Sequence, residues 1–513
     1  MKLTPPDRRG NRSRIARRTV RLAVELLESR QLLAATLLDN GTWDIVGTSA
    51  ADTIYVARDE YDPRWLIAEV NGRIEGEEYA SDVSRIQVSV GDGNDWIEID
   101  ESAGALTLPV LLKGDDGNDT LVAGSGPAFL TGDNGNDQLI GGAANDLLFG
   151  GPGDDYLGGG LGVDLLDGGP GNNQLVPDAA DQSVAARRVP AEWEQHDSTW
   201  LQWPKGEEVS QRSNVAGIIK ALQAYERVNL VVESSRARTE AANFLRRRGV
   251  PLGNIQFHIM PYDWSWMRDN GAIWVKQTDS SGQTRLVVQD WGFDGWGGYG
   301  GPSRKDDAVP CRVASLKGVA CESVPVVLEK GTLEFNGRGA LITSWTVLHQ
   351  RNPLLSREQL ESVLKYKFGV NTVVWLEGVP SGDITEGHVD GIARFVDANT
   401  VVVGRYRDQS DPDAALFEQA ATTIQAAGFT VVRMDIPGYV RYSGEWLPAN
   451  YLNYLVANGV VIASSYANAE FDNYARQRLG QLFPGRQIIL TDTRELWYNG
   501  GAVHCVTNDQ PVL

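Results

Sequence analysis

Cysteine and histidine are scarce in this chain, with three and five residues among 513. At that density a histidine directly followed by a cysteine is poorly explained as compositional noise, and one such pair stands near the C-terminus. No apolar run approaches the roughly 18–20 residues that a helical membrane span requires. Positive charge is also short: 47 Lys and Arg face 67 Asp and Glu, a formal net charge of -20. That balance argues against a nucleic-acid partner, because neutralising phosphates needs a basic face. It suits a protein that attracts cations. Apolar residues, by contrast, are plentiful at 42%, enough for a sizeable core. The length predicts roughly two to four domains.

The N-terminus runs against the overall charge. Seven arginines between Arg8 and Arg21 precede a Leu- and Ala-rich stretch ending at Ala35. A basic lead followed by Leu and Ala suggests export, although Glu25, Glu28 and Arg30 break the apolar core of an ordinary signal peptide. Leu27-Glu28-Ser29-Arg30-Gln31-Leu32-Leu33-Ala34 resembles the LExRxLLx motif found near the start of large bacterial surface proteins. Residues 1–35 are therefore expected to be an export or sorting segment, with an amphipathic helix as the alternative.

Residues 91 to 175 repeat a nonapeptide, Gly-Gly-x-Gly-x-Asp-x-Leu-x. Asp119, Asp137, Asp146, Asp155 and Asp164 occupy its acidic position, and Ala128 fills it in a degenerate copy. Asn173 replaces the acid in the final copy, while Asp95 and Asp52 mark earlier ones. The pattern resembles the calcium-binding repeats of RTX proteins, which stack into a parallel β-roll. The Leu points inward, and the glycines permit tight turns. The carboxylates and turn carbonyls are hard oxygen ligands suited to Ca²⁺. A Gly/Asp-rich flexible linker is the alternative, and the shared register of many copies counts against it. Resting cytosolic calcium would not fill weak sites, so the repeat argues for an extracellular or cell-surface location. Thr53–Val56 and Arg85–Val90 read as strands leading into the roll. The expected division is a lead-in and roll over 36–176, a linker over 177–188, and a further domain over 189–513. Strand-like runs such as Val228–Val232 and Thr400–Val403 alternate there with helical stretches such as Arg357–Lys367 and Asp413–Ala427, an α/β pattern.

Chemistry concentrates in that last part. Gly500-Gly501-Ala502-Val503-His504-Cys505 sets a thiol after two glycines that allow close backbone approach, a possible nucleophile if a base is near. Trp264–Gly271 joins aromatics to Asp269. Glu329 ends an apolar strand, where a surface charge is the plainer reading. Gly387-His388-Val389-Asp390 puts a histidine and a carboxylate on one face if extended, and Asn450 and Asn453 offer amides near a strand start. Singly, Asp269 could pair with Arg268 and His388 could be a satisfied histidine. Together, a thiol, an imidazole, several carboxylates and an indole suit attack on a guanidinium, a planar cation rich in N–H donors.

Residues 189 to 510 resemble the agmatine deiminase and bacterial peptidylarginine deiminase family. Seven blocks match in order: Val189–Pro204, Trp266–Gly271, Asp290–Gly298, Asn336–Gly339, Arg351–Pro353, Gly387–Asp390 and Gly500–Cys505. The resemblance implies a multidomain chain in which the β-roll precedes a pentein-type α/β propeller of five-fold pseudosymmetry. It implies Cys505 as nucleophile, His388 as general acid/base, and Asp269 and Asp390 as the grip on the guanidinium. Glu329 would be a further catalytic acid. Trp266, Asn453, Gly500 and Gly501 would face the substrate. The chemistry implied is a covalent thiouronium, loss of ammonia and release of a ureido product, with no cofactor for catalysis and Ca²⁺ confined to the roll. Agmatine is favoured, giving N-carbamoylputrescine; peptidyl or protein arginine, giving citrulline, is one alternative, and an inactive calcium-binding surface protein another. Departures include Lys330, Thr332, Tyr299, Ser344-Trp345, and Asp294 where the family usually has Asn. Finally, export would favour a Cys311–Cys321 disulfide, because Lys317-Gly318 offers a helix end that could close the loop. Two reduced thiols on a helix and the following strand are the alternative.

Overall fold

The computed structural model describes residues 34–181, 184–301 and 303–513. The expected sorting segment lies almost wholly outside them. No helix among the described residues is long and apolar enough to cross a membrane.

The nonapeptides wind between two sheets, one of seven strands and one of eight, whose repeat strands pair in parallel. Two copies make one coil, so residues stack on those 18 positions away. Leu121, Leu139 and Leu157 line up in one sheet and Leu112, Leu130 and Leu148 in the other. All six are fully buried, each worth about 2 kcal/mol relative to exposure. Glycine is required at the coil corners. Gly135 has φ +141°, and a Cβ there would lie 1.4 Å from the carbonyl oxygen of Gly117. The expected lead-in strands are present as Thr53–Arg58 and Arg85–Ser89.

The expected linker over 177–188 is not linker throughout. Asp181 accepts the backbone N–H of Asp164 at 2.5 Å, taking the next place in an acidic ladder. Val184–Arg188 is an edge strand that pairs antiparallel with Ile273–Asp279. Short polar runs read as linkers when the partner of each backbone group is far away in sequence.

Besides the two-stranded hairpin Tyr439–Tyr442 and Glu445–Pro448, the remainder is built from five small sheets of three or four strands. Each contains a strand–helix–strand crossover with parallel pairing, for example Thr400–Tyr406, Ala414–Ala426 and Thr430–Ile436. The helix Arg357–Phe368 starts on a capping box between Ser356 and Gln359 and stops at Gly369, φ +66°. Cap and left-handed glycine each satisfy end groups that the helix cannot. The helix Val309–Lys317 ends at Gly318, φ +67°, and the strand Ala320–Val327 follows. Cys311 and Cys321 are disulfide-bonded with Cα atoms 5.4 Å apart, as export would favour, and Cys505 is free.

One face of the roll packs on this second part. Leu111, Phe129 and Phe149 share a core with Val324, Val326 and Phe368. Gln359 donates to Thr131 Oγ1 at 2.8 Å, and the Tyr366 hydroxyl to the Asp164 carbonyl at 2.8 Å.

Candidate active site

Cys505 lies in the turn between the helix Arg494–Tyr498 and the strand Asn508–Pro511. The glycines before it are dictated by space. A Cβ on Gly501 would meet Trp266 Cζ3 at 2.4 Å and Cys505 Cβ at 2.9 Å, and one on Gly500 would meet Ile384 Cδ1 at 2.1 Å. The side-chain amide of Asn453 donates to the sulfur at 3.1 Å, and its oxygen accepts the His504 N–H at 3.0 Å. The thiol is buried and 3.6 Å from Asp390 Oδ2. Burial first, then the charges of Asp390 and Asp269, push the thiol well above its ordinary range.

His388 and Asp390 are not on an extended strand. His388 leads into a 3-10 turn over Val389–Gly391. Both nevertheless line the cavity that holds Cys505. His388 Nδ1 is 3.7 Å from Asp269 Oδ1, and its Nε2 is 3.6 Å from Glu329 Oε2, ion contacts longer than hydrogen bonds. Burial would disfavour the imidazolium, but Asp269 and Glu329 outweigh it and lift His388 to about 9. Glu329 is wholly buried, so the surface-charge reading fails. Burial works against its charge, yet Arg351 at 2.8 Å and His388 hold it at about 2. Asp269 is raised to about 6 by burial, with His388 opposing. Its Oδ2 accepts the Trp296 indole N–H at 3.0 Å and its Oδ1 the Gly331 N–H at 3.2 Å. It does not pair with Arg268, which binds Asp509 and Glu192 instead.

Two residues escaped the sequence reading. His504 Nδ1 is 2.7 Å from Asp390 Oδ2, and its Nε2 is 2.7 Å from Glu192 Oε2. Each ring nitrogen therefore faces a carboxylate oxygen. Burial penalises the Asp390 charge, but His504 more than compensates and holds it at about 2. Glu192 also meets Arg268 and Arg394. The signal was present in the histidine next to Cys505, but nothing local pairs it with a glutamate 312 positions away.

The cavity has a volume of about 240 Å³. His388, Asp390, Asn453, Gly500, Gly501 and Cys505 line it, whereas Trp266, Asp269 and Glu329 stand one layer behind. Asp383, Asp413 and the exposed Trp446 and Tyr498 also line it, while no Lys or Arg among the described residues does. A thiol between an imidazole and carboxylates, in a cavity with no Lys or Arg among its described lining residues, is suited to a planar cation.

The repeat acids form two ladders rather than one. Asp119 donates its N–H to Asp137, Asp137 to Asp155, and Asp155 to Asn173. On the other side Ala128 donates to Asp146 and Asp146 to Asp164. Each bond uses Oδ1. The Oδ2 atoms of Asp119, Asp137, Asp146, Asp155 and Asp164 are buried without a partner. Glycines keep room beside them, for a Cβ on Gly132 would come to 2.2 Å of Asp137 Oδ2. Orphaned, buried, hard oxygens in a row fit calcium. Burial, reinforced by neighbouring acids, raises Asp119 to about 7 and Asp146 to about 8 when no cation is bound.

Residues 113–175 match the RTX calcium-binding nonapeptide repeat in overlapping segments, so the roll binds calcium. Residues 188–511 match the Porphyromonas-type peptidyl-arginine deiminase family. The chain is 31% identical over 361 residues to the agmatine deiminase of Ectopseudomonas mendocina, spanning 63% of this chain and 95% of that one. Among solved structures it resembles the substrate-bound agmatine deiminase of C. jejuni, with 25% identity, a TM-score of 0.57, and coverage of 63% and 96%. It also resembles a putative arginine deiminase from Porphyromonas gingivalis, with 29% identity, a TM-score of 0.56, and coverage of 63% and 98%. A buried thiol flanked by imidazole and carboxylates, on a segment matched almost end to end, makes this chain a hydrolase of C–N bonds and a member of the Porphyromonas-type peptidyl-arginine deiminase family, preceded by a calcium-binding RTX roll.

Proposed function

We propose that Cys505 is the nucleophile of a guanidine deiminase whose preferred substrate is agmatine. Asp390 accepts the guanidinium N–H groups, Asp269 adds its charge from behind His388, and Trp266 backs the loop at Gly501. The arriving cation offsets the two carboxylates that hold the thiol neutral, and the thiol proton passes to a terminal guanidinium nitrogen, since His388 already holds its own proton. A C–S bond forms at the guanidinium carbon. The C–N bond to that protonated nitrogen breaks, and the departing ammonia leaves as ammonium with the proton of His388, which is charged at neutral pH. Water then gives a proton to His388 and its oxygen to the carbon of the thiouronium. The C–S bond breaks, leaving a ureido product and the thiol. Glu329 and Arg351 keep His388 aimed, and Asn453 keeps the sulfur in place. No step calls for a metal.

The observation that carries the substrate assignment is the cavity lining, which includes Asp383 and Asp413 and, among the described residues, no Lys or Arg. An amine end is welcome there, whereas the α-carboxylate of free arginine would meet like charge. A peptidyl arginine has no such carboxylate, and the exposed Trp446 and Tyr498 give it a rim to lie on. Ammonia release from agmatine, arginine and an end-blocked arginine peptide tests the order. N-carbamoylputrescine as the best product supports it, and faster formation of citrulline in the peptide overturns it. Turnover of none of the three would favour an inactive surface protein.

We further infer that the five crossover units surround a pseudo-five-fold axis with the site at its centre. We also infer that Asp119, Asp137, Asp146, Asp155 and Asp164 bind calcium through their free oxygens, outside the cell or on its surface.

A further inference from the structure

A small cavity of about 50 Å³ lies where the roll meets the deiminase part. The roll contributes Arg85, from the strand Arg85–Ser89, and the other side contributes Asp290, Asp294 and Asp307. Arg85 is only partly buried, but its Nε is sealed from solvent and has no hydrogen-bond partner. Such a cavity has room for bridging water. Burial disfavours the Arg85 charge, and Asp294 and then Asp307 favour it.

Those two acids are not idle. Asp307 accepts the N–H of Phe293 at 2.7 Å, and Asp294 accepts the N–H of Gly297 at 2.7 Å. Between these anchors Trp296 sits at φ +58°, a left-handed conformation that a bulky residue adopts only when its surroundings impose it. That backbone sends the indole N–H to Asp269 Oδ2. Asp294 also lies 3.8 Å from Arg351, the partner of Glu329. Acids that line one enclosed cavity favour neutralisation by protons unless cations face them, and Arg351 reaches Asp294 from the site side only. Arg85 is the cation that the roll brings.

We propose that Arg85 is a positioning residue of the deiminase site: facing Asp294 and Asp307 across the interface cavity, it fixes the loop that aims Trp296 at Asp269. The roll is then part of the catalytic apparatus rather than an appended anchor. Asp294, standing where the resemblance leads one to expect Asn, then faces two cations, Arg351 at 3.8 Å and Arg85 across the cavity. The proposal rests on the deiminase reading for its kinetic arm alone.

The test uses the full chain with calcium, as Arg85→Gln, Arg85→Lys and Arg85→Gln/Asp294→Asn. Amide exchange over residues 290–301 and over the roll is measured alongside agmatine kinetics. Arg85→Gln should speed exchange at Phe293 and Gly297 and raise KM about ten-fold with a smaller change in kcat, because Asp269 serves binding. Arg85→Lys should stay within about three-fold of the parent. The double variant should recover most of the loss, since a carboxamide in place of the Asp294 carboxylate would still accept the Gly297 N–H without carrying charge. Unchanged exchange over 290–301 in folded Arg85→Gln overturns the proposal. If Arg85→Gln unfolds the roll, the double variant decides: equal unfolding there also overturns it. Should no guanidine be turned over by the parent, the exchange measurement still decides the matter.

Discussion

Alkylation of Cys505 in the free enzyme should be slow at neutral pH and rise steeply with alkalinity. The sulfur is 3.6 Å from Asp390 Oδ2. At an effective dielectric constant near 20, a thiolate there would be repelled by about 5 kcal/mol, an upper bound because His504 shares the Asp390 charge. The opposing contribution, one N–H bond from Asn453 to a charged acceptor, is worth about 1.5–3 kcal/mol. Repulsion and burial win, so the resting enzyme holds a thiol. The ordinary value for this group is already 9.0, and a group raised above it is less than about one per cent thiolate at pH 7. With Cys311 and Cys321 bridged, iodoacetamide reports on Cys505 alone. Its inactivation rate should climb about ten-fold per pH unit, about a hundred-fold between pH 7 and 9, without levelling. A planar amidinium electrophile such as 2-chloroacetamidine carries its own charge to Asp390 and should react at least about ten-fold faster than neutral chloroacetamide at pH 7. A plateau of the iodoacetamide rate near pH 7 would refute this reasoning, because it would mean a preformed thiolate–imidazolium pair.

Three further outcomes are expected. Cys505→Ser should abolish ammonia release at unchanged thermal stability, as an unactivated hydroxyl is a far weaker nucleophile; appreciable turnover by the purified variant would rule out covalent catalysis through this residue. Asp269→Asn should raise KM for agmatine by about ten-fold or more and lower kcat less, and identical kinetics would assign Asp269 a structural role with Trp296. In chelator the roll should lose stability as pH rises. The ladder acids are raised from 3.8 to between about 6 and about 8 in the folded, cation-free roll. Protonation therefore stabilises it fully below about 4, and that contribution fades as pH climbs through 6 to 8. Millimolar Ca²⁺ should remove the dependence and Mg²⁺ should not, and circular dichroism melts independent of both pH and Ca²⁺ would contradict the ladder assignment.

Local regularity made much of this protein legible in its sequence. A nine-residue period with one Leu and one Asp per unit dictates stacked short strands, because backbone rise and side-chain alternation leave no other way to bury every Leu. Motifs in fixed order singled out Cys505, His388, Asp269, Asp390 and Glu329, which the fold then brings into one neighbourhood. Tertiary structure alone decided that alternate copies face opposite sheets, so that Asp146 and Asp164 form a ladder apart from Asp119, Asp137 and Asp155. It decided that His388 and Asp390 line the cavity of Cys505 from a 3-10 turn, that His504 bridges Asp390 to Glu192, and that Arg85 of the roll shares a cavity with Asp294. The physical reason is the same in each case. Periodicity and turn chemistry are properties of neighbouring residues, whereas the partner of a buried charge is whichever opposite charge the folded chain brings within a few ångströms, and sequence separation carries no record of that distance.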